Sequence, residues 1–120
     1  MGRTFVLRLT HAADDVERVG QALTIGSTAV ASGIDVELWL IHDAVHLAQP
    51  GVVESLELAH SPPLIELWNA IVKSGRIYAC TQCLLRRSIA ADELRDGVTQ
   101  AGAAVLVASL AEDGAVSLDF

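Results

Sequence analysis

Thr4–Ile41 reads TFVLRLTHAADDVERVGQALTIGSTAVASGIDVELWLI, and the order of patterns within it decides the fold. Thr4 to Leu9 (TFVLRL) is β-rich and largely apolar, as a strand buried in a parallel sheet would be. Thr10, His11, Ala12 and Ala13 form a joint, and Asp14 or Asp15 can cap the helix beyond it. Val16, Val19, Leu23, Gly26 and Val30 then recur at alternating spacings of three and four, one face of a helix. Gly33 can end that helix in a left-handed cap. Asp35 to Ile41 (DVELWLI) returns to strand. Strand, helix and strand with joints this short make a βα unit.

Outward from that unit, the chain enters a long irregular stretch, His42-Asp43-Ala44-Val45-His46-Leu47 and then Gln49-Pro50-Gly51. Ser61-Pro62 opens another helix, with proline near the first position, where a missing N–H costs nothing. Leu64, Leu67, Trp68, Ile71 and Val72 give its apolar stripe, and Gly75 stops it. Arg76 to Ala79 (RIYA) predicts a short third strand running straight into Cys80-Thr81-Gln82-Cys83, and Leu84 to Ile89 a brief helix. Val98 to Gln100 reads as a short strand, Ala103 to Ala111 as a helix and Ala115 to Asp119 as a closing strand. Periodicity leaves VLVAS open between helix and strand, and its length and alanine content favour helix. Three to five strands alternating with helices give an α/β fold with a mainly parallel sheet. The 120 residues fit one domain, residues 1–120.

Composition excludes several function classes. Hydrophobic residues make up 52% of the chain and charged residues 19%, which excludes disorder. The core must be aliphatic, because the aromatics are only Phe5, Trp39, Trp68, Tyr78 and Phe120. Fifteen acidic residues against eight basic ones leave a net charge of -7, and the single lysine is Lys73. Such a field repels phosphate, so no nucleic-acid partner is expected. The longest charge-free run, Val19 to Ile34, is broken by Gln21, Thr24, Ser27, Thr28 and Ser32 and falls short of the ~18 apolar residues a membrane span needs. Met1 to Val6 leads directly into strand with no secretory signal. Two cysteines close together in such a chain point to a reducing compartment, the cytoplasm, and to chemistry rather than a structural disulfide.

In an open parallel sheet the carboxyl ends of the strands share one edge, where ligands bind. That edge receives Thr10, His11 and Asp15 after the first strand, His42 and Asp43 after the second, and Cys80 with Cys83 after the third. Cys80 stands where a strand gives way to a helix, facing free backbone N–H groups that favour a thiolate. Arg86 and Arg87 come next on the helix and can add positive potential. The competing reading makes Cys80 a small core residue. The C-x-x-C spacing itself has three readings: a redox dithiol, half a metal site, or one working thiol beside a bystander. Zinc would need two further ligands from His11, His42, His46 and His60, and the segment between His42 and His46 does not read as helix. No metal and no cofactor are expected. Glu54, Glu57 and the cluster Asp92-Glu93-Leu94-Arg95-Asp96 read as solvated surface. Dinucleotide, nucleotide and serine-hydrolase motifs are absent from the sequence.

At Arg76–Ile89, RIYACTQCLLRRSI, the chain resembles the DsrE family of small sulfur-relay proteins, which takes in DsrF-like and TusD-like sulfurtransferases. Their signature is a strand running into a cysteine, with Arg-Gly a few residues beyond it. The likeness extends to Asp15 before the first helix, Gly33 before the second strand, and Asp43-Ala44-Val45, where relatives often read Asp-Gly-Val. It closes with the Gly102-Ala103-Ala104 helix start and a last strand ending in Phe120. Two departures bear on the pocket: Ser88 stands where glycine is usual, and Ala44 replaces the loop glycine.

The resemblance implies a three-layer α/β/α domain with a five-stranded parallel sheet. It implies homotrimers or homohexamers, or mixed oligomers with sister subunits. It also implies a sulfur carrier that holds a persulfide on the cysteine matching Cys80 and exchanges it with donor and acceptor proteins. Relatives with a second cysteine, matching Cys83, are described as predicted peroxiredoxins. The alternatives are a non-catalytic oligomeric or ligand-binding subunit, with Trp39, Trp68 and exposed Val or Leu residues at its interface, or a dithiol redox protein.

Overall fold

The computed structural model describes residues 2–120. Its strands are β1 (Thr4–Leu9), β2 (Asp35–Leu40), β3 (Arg76–Cys80), β4 (Val98–Ala101) and β5 (Ala115–Asp119). Its helices are α1 (Val16–Ala31), α2 (Val52–Ser55), α3 (Leu64–Ser74), α4 (Thr81–Arg86) and α5 (Ala103–Ala111). The strands form one five-stranded sheet in the order β4-β3-β2-β1-β5, with every pairing parallel.

That order dictates the layers. From β1 to β4 the chain steps across the sheet in one direction, and right-handed crossovers then lay their helices on one face. The return from β4 to β5 runs the opposite way, so α5 falls on the other face. Leu7, Leu9, Leu38, Leu40, Ile77 and Ala79 meet α1 and α3 on the first face. Val6, Trp39 and Ala101 meet Leu106 and Leu110 of α5 on the second. The α/β/α architecture is therefore as expected. Among the described residues, no helix is long and apolar enough to cross a membrane.

The second face carries the polar burial. Trp39 stacks on Tyr78, its partner in the register, with ring centroids 4.6 Å apart. Its indole N–H donates to Glu37 Oε1 at 3.0 Å, and Arg76 donates to Glu37 Oε2 at 3.2 Å, so the buried carboxylate is satisfied on both oxygens. Trp39 and Trp68 are each 1% exposed, which rules out both as interface residues. The exposed large apolar side chains are instead Leu85, Val105 and Val107, the last 63% exposed.

Several boundaries differ from the sequence reading. The third helix starts at Leu64, not Ser61-Pro62, because Pro63 excludes the helical region for the residue before it. The stretch after β2 is not irregular: His42–Ala48 is a 3-10 helix and Val52–Ser55 a single α-helical turn. Ala44, Val45, Leu47 and Ala48 are buried there, and burying that run requires its backbone to bond to itself. Helix α4 begins at Thr81 and ends at Arg86, rather than spanning Leu84 to Ile89.

The end of α4 explains one of the two departures. Ile89 N–H donates to the Leu84 carbonyl at 3.0 Å and Ser88 N–H to the Leu85 carbonyl at 3.1 Å. This is the paired Schellman arrangement, which places Ser88 in the left-handed region at φ 54. Ile89 and Leu84, both buried, supply its hydrophobic contact. Glycine adopts that conformation without a Cβ penalty, at the cost of more freedom when unfolded. Ser88→Gly should therefore stabilise the fold by about 0.5–1 kcal/mol in urea unfolding. A loss of stability would contradict this account of the α4 cap.

Candidate functional site

Strand alternation places the first cysteine. Ile77 and Ala79 point into the core under α1 and α3, so Tyr78 and Cys80 point to the α5 face. Cys80 is the last residue of β3, paired with Ala101, and its backbone is extended at φ -62, ψ 121. Half-buried, it lines a cavity of about 360 Å³ whose walls include Trp39, Ile41, Gln82, Gly102 and Leu106. The loop-side wall comes from the starts of α4 and α5, which both spring from this rung of the sheet.

One turn later, α4 brings Cys83 back across the strand end to the opposite side. It is 2% exposed and belongs to the main core. His42 N–H donates to its Sγ at 3.2 Å. Burial pushes the Cys83 thiol pKa up, and a hydrogen bond with the Cys80 sulfur pushes the same way. The His42 N–H and the charge of Arg87 oppose the shift without cancelling it. Cys83 is thus a neutral thiol in contact with Cys80. His42 itself is left-handed at φ 53, the conformation from which its N–H meets the sulfur. A non-glycine residue held there stores roughly 1–3 kcal/mol of strain.

Arg87 joins the two loops. Its Nε and Nη2 donate to Asp43 Oδ1 at 3.0 and 2.8 Å, and its Nη1 to the Cys83 carbonyl at 3.2 Å. The guanidinium thereby straps the end of α4 to the 3-10 helix that carries His42. Of the residues singled out in the sequence, Cys80, Cys83, His42, Asp43 and Arg87 come together. Arg86 is exposed and makes no side-chain hydrogen bond or ion pair among the described residues.

His11 and Asp15 are committed to the β1–α1 joint instead. His11 Nδ1 lies 2.7 Å from Asp14 Oδ2, and Asp14 Oδ1 accepts the Ala12 N–H at 2.8 Å. The His11 contact, with the Ala12 N–H second, holds the Asp14 carboxyl below the usual carboxylate range. Asp15 caps α1 by accepting the Arg18 N–H at 3.2 Å and pairs with Arg18 Nε at 3.0 Å. His42 and His46 lie on a 3-10 helix, where a spacing of four puts them about a third of a turn apart and not on one face. Among the described residues, no group of three or more His, Cys, Asp or Glu side chains is placed to hold a metal ion.

A family model of the DsrE/DsrF-like proteins matches residues 4–116. The chain belongs to that family. Among curated proteins, none matches this DsrE/DsrF-like chain by sequence. Among solved structures, the YchN protein of E. coli is similar at 19% identity and a TM-score of 0.76, covering 98% of this chain and 100% of its own. MTH1491 of Methanobacterium thermoautotrophicum, a protein of unknown function, is similar at 15% identity and a TM-score of 0.74, covering 98% and 99%. At such identities the likeness is one of fold.

The second departure of this DsrE/DsrF-like chain, Ala44, costs nothing visible. Ala44 is fully buried, donates its N–H to the Ile41 carbonyl at 3.1 Å and is not among the residues of positive φ.

The Cys83 shift has a consequence for stability. Above the free-thiol pKa of about 8.5, the folded state holds the Cys83 proton more tightly than the unfolded chain. Stability should therefore fall as pH rises from there through the folded-state value. Urea midpoints at about pH 8 and about pH 10 should drop further for the wild type than for Cys83→Ala, which lacks the titrating group. Equal slopes would contradict a raised pKa.

Proposed function

We propose that this DsrE-like protein is a sulfur carrier that holds sulfane sulfur as a persulfide on Cys80. The observation that carries the reading is the asymmetry of the two thiols: Cys80 opens into a cavity at a strand–helix junction, while Cys83 is buried behind it. The Cys80 thiolate attacks the outer sulfur of a donor persulfide R–S–SH. The donor S–S bond breaks, Cys80 becomes Cys80–S–SH, and R–S⁻ leaves and takes up a proton. An acceptor thiolate then removes the outer sulfur by the same exchange. Alternatively, the Cys83 thiolate attacks the inner sulfur, expelling HS⁻ and leaving a Cys80–Cys83 disulfide that an external dithiol must reduce.

Arg87, held by Asp43, fixes the start and end of α4 around the reacting sulfur, and the exposed Arg86 faces incoming anionic groups. The carrier works in a reducing compartment, where both thiols stay free. The protein assembles with copies of itself, or with sister subunits, through α5. That helix is apolar all round, AAVLVASLA, yet none of its residues is buried, a pattern that calls for a covering surface.

The contact between the two sulfurs favours a second reading, a dithiol that cycles through a Cys80–Cys83 disulfide without carrying sulfur. Intact-mass spectrometry after incubation with a persulfide donor separates the two. The carrier predicts a gain of about 32 Da, one sulfur atom, in wild type and none in Cys80→Ser. Both proteins should sediment as the same oligomer. Loading of Cys80→Ser, or a disulfide with no mass gain in wild type, would contradict the carrier reading, and a monomer would contradict the assembly.

A further inference from the structure

A second cavity, of about 420 Å³, adjoins the one at Cys80, and the side chain of Ile41 lines both. Its other walls include Arg8, Thr10, Arg18, His42 and Asp119. The sheet register shows that both cavities open on the α5 face. Arg8 pairs with Trp39 and with Asp119, Trp39 pairs with Tyr78, and Tyr78 shares its parity with Cys80. The two ends of this groove therefore lie on β3 and on β1 and β5. Three strand spacings separate β3 from β5, a span of roughly 14 Å.

The groove changes character along its length. At the Cys80 end it is walled by Trp39, Ile41 and Leu106. At the other end, Arg8 is committed to Asp119 by two hydrogen bonds at 2.7 and 2.6 Å, a neutralised and fixed pair. Arg18 is not committed in this way. It is 57% exposed and meets Asp15 only through Nε, so both terminal nitrogens of its guanidinium are free of side-chain partners among the described residues. The His42 imidazole is likewise without a hydrogen-bond partner among the described residues. These are donors without acceptors, placed in a chain whose net charge is -7.

We infer that the Arg18–His42 cavity binds the carboxylate of a small peptide-like thiol whose persulfide delivers sulfur to, or whose thiolate receives it from, Cys80. The inference rests on the carrier reading of Cys80. One free guanidinium beside Asp119 suits a single negative charge better than a dianionic phosphate. The apolar middle of the groove suits an aliphatic spacer. The span excludes free cysteine, whose carboxylate lies too close to its sulfur to reach both ends. In the exchange, Cys80 takes the outer sulfur and R–S⁻ leaves as the thiolate of the peptide.

Two donors of similar shape test this: glutathione persulfide and the persulfide of glutathione diethyl ester, which lacks both carboxylate charges. The readout is the ratio of their Cys80 loading rates within one protein. Wild type should favour the acid by about tenfold, the contribution of one charge-assisted contact, and Arg18→Gln should bring the ratio close to one. A wild-type ratio near one, or a preference that survives in Arg18→Gln, would overturn the inference. Inorganic polysulfide, offered to wild type, distinguishes failure of the peptide site from failure of the carrier. Loading from polysulfide without an acid preference overturns this inference alone. Loading from none of the three donors overturns the carrier reading and this inference with it.

Discussion

The last rung of the sheet, Cys80 against Ala101, fixes where two helices begin, α4 at Thr81 and α5 at Ala103. An extended Cys80 sends its side chain to the α5 face and leaves α4 to start one residue later. The helical repeat then carries Cys83 to the opposite side of the strand end, into the core. A cysteine spacing of three has a different meaning here from the same spacing within a helix. The first thiol belongs to a strand and faces a cavity, while the second belongs to a helix and faces the interior. The unequal environments of the two sulfurs arise from that single junction.

Charge in this acidic chain is largely used to pin loops. Arg87 straps α4 to the 3-10 helix through Asp43, and Arg8 closes β1 against β5 through Asp119. Arg95 lies 5.4 Å from the centre of the Trp68 ring, pairs with both oxygens of Glu54 at 2.8 and 3.0 Å, and donates its N–H to the Ala48 carbonyl at 2.8 Å. Exposed pairs of this kind contribute little individually, ~0–1 kcal/mol. Their common effect is geometric, since each ties a connection at the carboxyl edge of the sheet to its neighbour. Arg18 and Arg86 are the basic residues at that edge without such a commitment to a distant segment, and they are the ones open to a ligand.

Much of the scaffold was legible in the sequence because its signals are local. The period of α1 and the alternation in TFVLRL and DVELWLI need no partner to be read. The rim of the sheet comes from topology alone, which is why His42 and Asp43 were correctly placed near the cysteines. What escaped was what depends on distant segments. The strap from Arg87 to Asp43 and the Arg95–Glu54 pair join residues far apart in the chain, so Glu54 and Arg95 read as solvated surface. His11 and Asp15 sat at the same rim by topology, yet local hydrogen bonds to Asp14 and Arg18 claimed them. The role of the His42 N–H was beyond reach, since a backbone group at positive φ leaves no mark on residue identity. The alternation that sets Trp39 and Cys80 on one face was present in the sequence, and with the register it marks the cavity.

The central claim is that one thiol of the pair is presented and the other withheld by the fold. Brief alkylation of the native protein with iodoacetamide, and then fragmentation of the peptide holding both cysteines, tests it most directly. The account predicts that Cys80 is labelled well before Cys83, and that unfolding in urea abolishes the difference. Labelling of Cys83 first, or of neither thiol until the protein unfolds, would contradict it.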